Sequence, residues 1–214
     1  VSSLVLASGN AHKAAEIRPF FAELGIEIVA MGELDPGWEI EESGDTLEEN
    51  ARIKARAAAD RTGRTAIADD TGLFVDALNG APGVRSSRYA GSGASYADNV
   101  RKLLEALEGV ATERRTGHFR TVALIVGPGG GEVRFEGVLE GRILEALRGE
   151  AGFGYDPVFL VPELGRSLAE LSLEDKNRVS HRARAFRAAA AFLERHREWI
   201  PEHEKQLVRR DASH

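Results

Sequence analysis

The chain has 214 residues, 43% of them hydrophobic, a formal net charge of −6 and no cysteine. That length suits one large domain or two closely joined lobes, and the apolar content is enough for a real core. The charge excludes broad nucleic-acid binding through a basic surface, the absent cysteines exclude disulfides and thiolate metal sites, and no apolar run approaches the roughly 18 residues of a membrane span. The N-terminus shows no basic region followed by an apolar core, so no secretory signal is read and a cytoplasmic setting is expected. Lysine occurs only at positions 13, 54, 102, 176 and 205, with arginine supplying every other strong base. A lysine in such a chain is informative, because its compact point charge is not mimicked by arginine.

Ser3–Ala7 reads as a short apolar strand. Ser8-Gly9-Asn10-Ala11-His12-Lys13 follows, then a helical stripe of Ile17, Phe20, Phe21 and Leu24 that Gly25 stops. Asn10 is the expected N-cap. Free backbone N–H groups at a helix start form an anion site, and Lys13 in the first turn opposes the helix dipole unless an anion lies between them. Ser8–Lys13 therefore reads as a phosphate cradle, against the plain alternative of an ordinary capped helix. Ile26–Ala30 is a second strand. Glu41 and Glu42 lie in a polar loop before a helix that Thr46 and Glu49 open with capping-box spacing. Either glutamate is a candidate metal ligand, or the run is a solvated acidic loop.

Thr65-Ala66-Ile67-Ala68-Asp69-Asp70-Thr71-Gly72 is the centre of the sequence. Ala66–Ala68 reads as a buried strand, and successive strand residues point to opposite faces. A turn at Gly72 would let Asp69 and Asp70 converge on one hard divalent ion such as Mg²⁺; the alternative is a turn held by Asx hydrogen bonds. Ser95 caps a helix from Tyr96 to Leu107 whose apolar stripe is Val100, Leu103, Leu104 and Leu107. His118–Val126 and Glu132–Leu139 form a hairpin around residues 127–131, expected to supply sheet and no chemistry. Gly152-Phe153-Gly154-Tyr155-Asp156-Pro157 sets two aromatics and a carboxylate among glycines, suited to stacking on a base or to packing beneath a loop. Ser172 and Ser180 are both candidate N-caps. Lys176, His181 and Arg182 read as bases at or before a helix start, again on the wrong side of the dipole, which points to ligand contact.

The motifs Ser8–Lys13, Ile67–Gly72, Gly80-Ala81-Pro82-Gly83, Phe153–Pro157 and Ser180-His181-Arg182 occur in this order, and over residues 3–195 the chain resembles the inosine/xanthosine triphosphate pyrophosphatase family. Ser8 stands where that family usually has threonine and keeps the hydroxyl. The resemblance implies an α/β fold, elongated and two-lobed around a mixed sheet flanked by helices, expected as one domain over residues 1–200, and residues 201–214 read from their own polarity as a tail. It implies a homodimer that hydrolyses ITP, dITP and XTP to monophosphate and pyrophosphate with Mg²⁺. Ser8, Gly9, Asn10, Ala11, His12 and Lys13 would bind the triphosphate. Glu41 and Asp70 would hold metal, Asp70 would accept a proton, and Asp69 and Lys13 would assist. Thr71 would contact substrate, and Phe153, Gly154, Tyr155, Asp156, Lys176, His181 and Arg182 would form the nucleoside pocket. The alternatives are a Maf-like pyrophosphatase of other specificity and a nucleotide-binding regulator without turnover.

Overall fold

In the computed structural model, which describes residues 2–127 and 129–201, the chain opens with a βαβ unit. Strand β1 (Ser2–Leu6) leads through helix α1 (Ala11–Ala22) to β2 (Ile26–Ala30), and the two strands pair in parallel with Leu4 opposite Ile28. The Asn10 side chain accepts hydrogen bonds from the backbone N–H groups of His12 and Lys13, which is the expected cap. A single turn, α2 (Met31–Leu34), precedes the acidic loop. Helix α3 (Leu47–Thr62) starts at the expected capping box, in which Glu49 N–H donates to Thr46 Oγ1 and Thr46 N–H donates to Glu49.

Strand β3 (Ala66–Val75) is longer than the sequence pattern suggests. It runs straight through Asp69-Asp70-Thr71-Gly72, so no turn forms at Gly72. The glycine serves close approach instead. A Cβ there would stand 2.6 Å from the carbonyl oxygen of Gly83, which belongs to β4 (Pro82–Gly83), paired antiparallel to β3. Helix α4 (Tyr96–Ala106) starts at the Ser95 cap and buries Val100 and Leu103, with Leu107 just beyond its end also buried.

Strands β5 (Thr116–Val126) and β6 (Glu132–Ile143) form the expected hairpin, each extended at the end away from its loop. Then come β7 (Phe159–Val161), β8 (Arg166–Ser167), α5 (Leu173–Val179) and α6 (His181–Arg195). Ser172 and Ser180 both cap as expected, accepting from Asp175 N–H and Ala183 N–H. From residue 202 onward the expected tail lies outside the described residues.

The sheet order is β2-β1-β3-β5-β6-β7-β8, parallel from β2 to β3 and antiparallel beyond. It is a mixed sheet flanked by helices. The central strands β3, β5 and β6 have 10, 11 and 12 residues, which is about 34–41 Å at the usual rise. Their two halves serve different cores. At one end Ile67, Ala123 and Ile125 pack under α1 and α6, while Ala66, Ala68, Val122 and Leu124 pack under α3 on the opposite face. At the other end Leu73, Val75, Phe119, Leu139 and Ile143 join Leu103, Phe159 and Leu168. Asp69–Gly72 lie between the two halves, at the seam of the lobes.

Candidate active site

A cleft of about 460 Å³ opens at that seam, within the usual range for a small-ligand site. Strand alternation sends Asp69 and Asp70 to opposite faces. Asp70 and Thr71 line the cleft, together with Ser8, Gly9, Asn10, Lys13, Phe153, Gly154, Tyr155, Asp156, His181 and Arg182. Asp69, Lys176, Ala11, His12 and Glu41 are not on its wall. Asp69 and Lys176 stand directly behind it, Ala11 and His12 are exposed on the first turn of α1, and Glu41 is exposed on its loop.

Behind the wall, Asp69 has a side chain only 1% exposed. It accepts two hydrogen bonds from Lys13 Nζ, both at 3.1 Å, and a longer one from Arg182 Nε at 3.4 Å. Burial by itself raises a carboxyl pKa, but Lys13 and Arg182 outweigh it and hold Asp69 below the usual carboxylate range. From Arg182 the ion pairs continue inward. Arg182 Nη1 donates to Glu16 at 2.6 Å, and Lys176 Nζ donates to Glu16 at 2.5 Å and to Asp156 at 2.6 Å. Asp156 also accepts from the backbone N–H of Phe153 at 2.9 Å, which fixes the aromatic loop. Every one of these groups is buried or nearly so, and none is left as an unpaired charge.

The Asp70 side is built differently. Asn50 Nδ2 donates to Asp70 Oδ2 at 3.0 Å. Lys54 Nζ lies 3.6 Å from Asp70 Oδ1 and 2.6 Å from Glu42. Arg88 reaches the same glutamate, donating to its backbone carbonyl at 3.3 Å. Burial raises the Asp70 pKa. Lys54 pulls it back only in part, and the nearby Glu42 carboxylate pushes it up further. Adjacent aspartates are therefore shifted in opposite directions.

Phe153 stands at the mouth. His12 stacks on it at 5.7 Å, and Lys176 and Arg182 lie 5.0 Å and 5.4 Å from its ring centroid. Tyr155 does something else: its hydroxyl donates to the Ser86 carbonyl at 2.9 Å and its ring is buried. Of the two readings of this loop, stacking suits Phe153, and packing beneath a loop is what Tyr155 does. Beyond them His181 is buried against Phe119, ring on ring at 4.5 Å. Burial, with Arg182 and Lys176 nearby, keeps the imidazole neutral.

Against this geometry the comparisons with known proteins are decisive. The Ham1 family profile matches residues 4–192. The chain belongs to the Ham1 family. It is 53% identical over 183 residues to a dITP/XTP pyrophosphatase of Caldanaerobacter subterraneus, covering 85% of this chain and 91% of that one. It is 48% identical to a dITP/XTP pyrophosphatase of Desulforamulus reducens, covering 90% and 96%. Among solved structures, a HAM1 protein from Coxiella burnetii superposes with a TM-score of 0.82 at 43% identity, covering 91% of this chain and all of that one.

Several residues of this Ham1-family cleft escaped the motif reading. Glu16, the acceptor for both Lys176 and Arg182, sits on the apolar stripe of α1 beside Ile17. A carboxylate on a buried face was its signal. Asn50 and Lys54 are four apart on the face of α3 that also buries Ala51, Ala55 and Ala58. Lys54 was one of only five lysines. The hairpin, expected to carry no chemistry, contributes Phe119 to the wall and Thr121, whose hydroxyl bonds that of Thr71 at 2.7 Å. The dipole argument for Lys176 also changes. It lies in the last turn of α5, where a cation is favourable, and its charge is answered by Glu16 and Asp156.

Proposed function

We infer that this chain hydrolyses non-standard purine nucleoside triphosphates (ITP, dITP and XTP) to the monophosphate and pyrophosphate, clearing deaminated purines from the nucleotide pool. The observation that carries this is the make-up of the cleft wall. A helix N-terminus with Lys13, an aromatic loop at Phe153 beside the donors of Arg182, and the Asp70 carboxylate all line one cavity. The names of its relatives point the same way. We take the protein to act in the cytoplasm as a homodimer, without nucleic-acid or membrane partners; among the described residues no helix is long and apolar enough to cross a membrane.

The cleft fits Mg²⁺. Lys13, Lys54, Arg88, Lys176 and Arg182 are matched by Glu16, Glu42, Asp69, Asp70 and Asp156, and Glu39 adds a further carboxylate on the wall. Little positive charge is left over for a triphosphate. Among the described residues no cage of three acidic or histidine ligands exists. Mg²⁺ does not require one, since it takes one or two carboxylates with phosphate and water. Asp70 and Glu42 share Lys54 and face one cleft, so we assign the ion to these two, with Glu42 in place of Glu41. When bound, the ion supplies neutralisation of phosphate charge and a more acidic water.

The side chains do the rest. The Asn10 cap takes the backbone N–H groups of His12 and Lys13, so the Ala11 N–H at the start of α1 and the Lys13 ammonium bind phosphate oxygens and stabilise charge that develops as the anhydride breaks. Asp70 Oδ2 is held by Asn50, and Oδ1, with Lys54 Nζ no nearer than 3.6 Å, is the oxygen that accepts the proton of the attacking water. At the base end, three of the five N–H groups of Arg182 are spent on Glu16, Asp69 and Thr71. The two others remain for a purine O6. Lys176, bonded to Glu16 and Asp156, keeps one of its three donors. His181 Nδ1 is buried without a partner among the described residues. An orphan N–H costs more than an orphan lone pair, so the ring hydrogen belongs on Nε2.

Donors match the O6 of hypoxanthine and xanthine and meet the amino group of adenine with no acceptor. Such a mismatch supports discrimination of about 10⁴–10⁵. Guanine shares O6, so rejection of GTP is shallower and rests on its 2-amino group. Measuring pyrophosphate release with Mg²⁺ from ITP, dITP, XTP, GTP and ATP tests the reading. ITP, dITP and XTP should lead and ATP should trail. Nucleotide binding with no pyrophosphate from any of the five would mean a non-catalytic binder.

A further inference from the structure

Asn50 is fully buried in the first turn of α3, where an unpaired amide is costly. Both ends of its amide are used. Oδ1 accepts from the backbone N–H of Gly44 at 2.8 Å, and Nδ2 donates to Asp70 Oδ2 at 3.0 Å. The orientation is not arbitrary. A backbone N–H can only donate, so the amide oxygen must face Gly44 and the amide nitrogen must face the carboxylate.

Gly44 closes the acidic loop against α3. A Cβ on it would stand 2.6 Å from Glu49 Cβ and 2.8 Å from Asn50 Oδ1, so the loop is seated on the asparagine with no room to spare. Two residues earlier the same loop carries Glu42. One turn along α3 from Asn50, Lys54 lies between Glu42 and Asp70. Asn50 thus joins the strand that bears one cleft carboxylate to the loop that bears the other.

We propose that Asn50 is a positioning residue that fixes the rotamer of Asp70 and clasps the Glu42 loop to it, so that two carboxylates from separate elements act as one cation site. This rests on the assignment of Mg²⁺ to Asp70 and Glu42. Asn50 itself lies behind Asp70 and acts through it. Groups that orient a metal-binding side chain in this way typically govern affinity or activity by about 10–100-fold.

Two variants separate positioning from packing. Asn50→Leu keeps the size and loses both bonds. Asn50→Asp keeps the shape and the acceptor for Gly44 but sets an oxygen against Asp70 Oδ2. Mg²⁺ is titrated against each nucleotide-free protein by calorimetry and by its effect on melting temperature, and kcat and KM for ITP are measured below the melting point. Asn50→Leu should weaken the Mg²⁺ response by about 10–100-fold. Asn50→Asp, with the wild-type fold, should lose at least about tenfold in kcat while KM stays within about threefold. A wild-type Mg²⁺ response that Asn50→Leu leaves unchanged would overturn the role of Asn50 alone, as would Asn50→Asp with wild-type kcat. No Mg²⁺ response in the wild type would overturn the metal assignment and this inference together. If Asn50→Leu fails to fold, Asn50→Asp still decides.

Discussion

Asp69 and Asp70 are neighbours in sequence and belong to opposite environments. Asp69 ends a closed chain of ion pairs that runs through Lys13, Arg182, Glu16, Lys176 and Asp156. Asp70 faces the cleft with one hydrogen bond from Asn50 and a cation, Lys54, that sits closer to Glu42. The first carboxylate is over-supplied with positive charge and its pKa falls; the second is under-supplied and its pKa rises. The difference separates roles that residue type alone cannot. A saturated carboxylate holds other groups in place, and a carboxylate with unmet demand for positive charge is the one that gains from a metal ion and can take a proton.

The sharpest way to break this contrast is Asp70→Asn. Turnover of ITP should fall by at least about 10²–10⁴-fold, the usual loss for a general base. Because Asp70 is charged at a cost in the unliganded protein, the same change should leave the metal-free melting temperature equal or higher. A variant that retains more than about a tenth of the wild-type rate would remove Asp70 from the chemistry.

Asp69→Asn should give the complementary result. Lys13 loses its ion-pair partner and Arg182 keeps only Glu16 as one, and breaking a buried pair from one side costs about 3–5 kcal/mol. Chemical denaturation at neutral pH should show that loss, where Asp70→Asn shows none. The sign with pH follows. The folded pKa of Asp69 is depressed, so its contribution is complete above the unfolded value of about 3.9 and disappears as pH falls through the folded value. Asp69→Asn should therefore flatten the acid limb of the stability curve.

Glu42→Gln compared with Glu41→Gln sharpens the open side. Glu42 faces Lys54 and the cleft, and Glu41 is exposed. The first change should weaken the Mg²⁺ response by about 10–100-fold and the second by less than about twofold. Equal effects would mean that the loop rearranges when metal binds.

The smallest effect expected is that of His181 on stability. Its folded pKa lies well below the unfolded value of about 6.5. The unfolded chain then takes up a proton that the folded chain refuses, so stability drops as pH falls below about 6.5, by about 1.4 kcal/mol per unit at most from this group. His181→Phe should reduce that slope in urea melts between neutral and mildly acidic pH.

Much of this was legible in the amino-acid sequence by itself. The caps at Asn10, Thr46, Ser95, Ser172 and Ser180 were readable because capping is a contact between residues two or three apart. The strands and amphipathic stripes were readable because period 2 and period 3.6 are local. The order of the motifs was enough to point to the family. Tertiary structure decided what alternation leaves open. Period 2 says that Asp69 and Asp70 face apart; only the pairing of β3 with β1 and β5, and the placing of α1, α3 and α6 on the two faces, says which of them meets the cleft. The choice of Glu42 over Glu41 depends on Lys54 and Arg88, brought in from α3 and from the loop after β4. The role of Glu16 depends on Lys176, 160 residues away. A buried charge is assigned by its partner, and these partners are set by how the helices dock on the sheet.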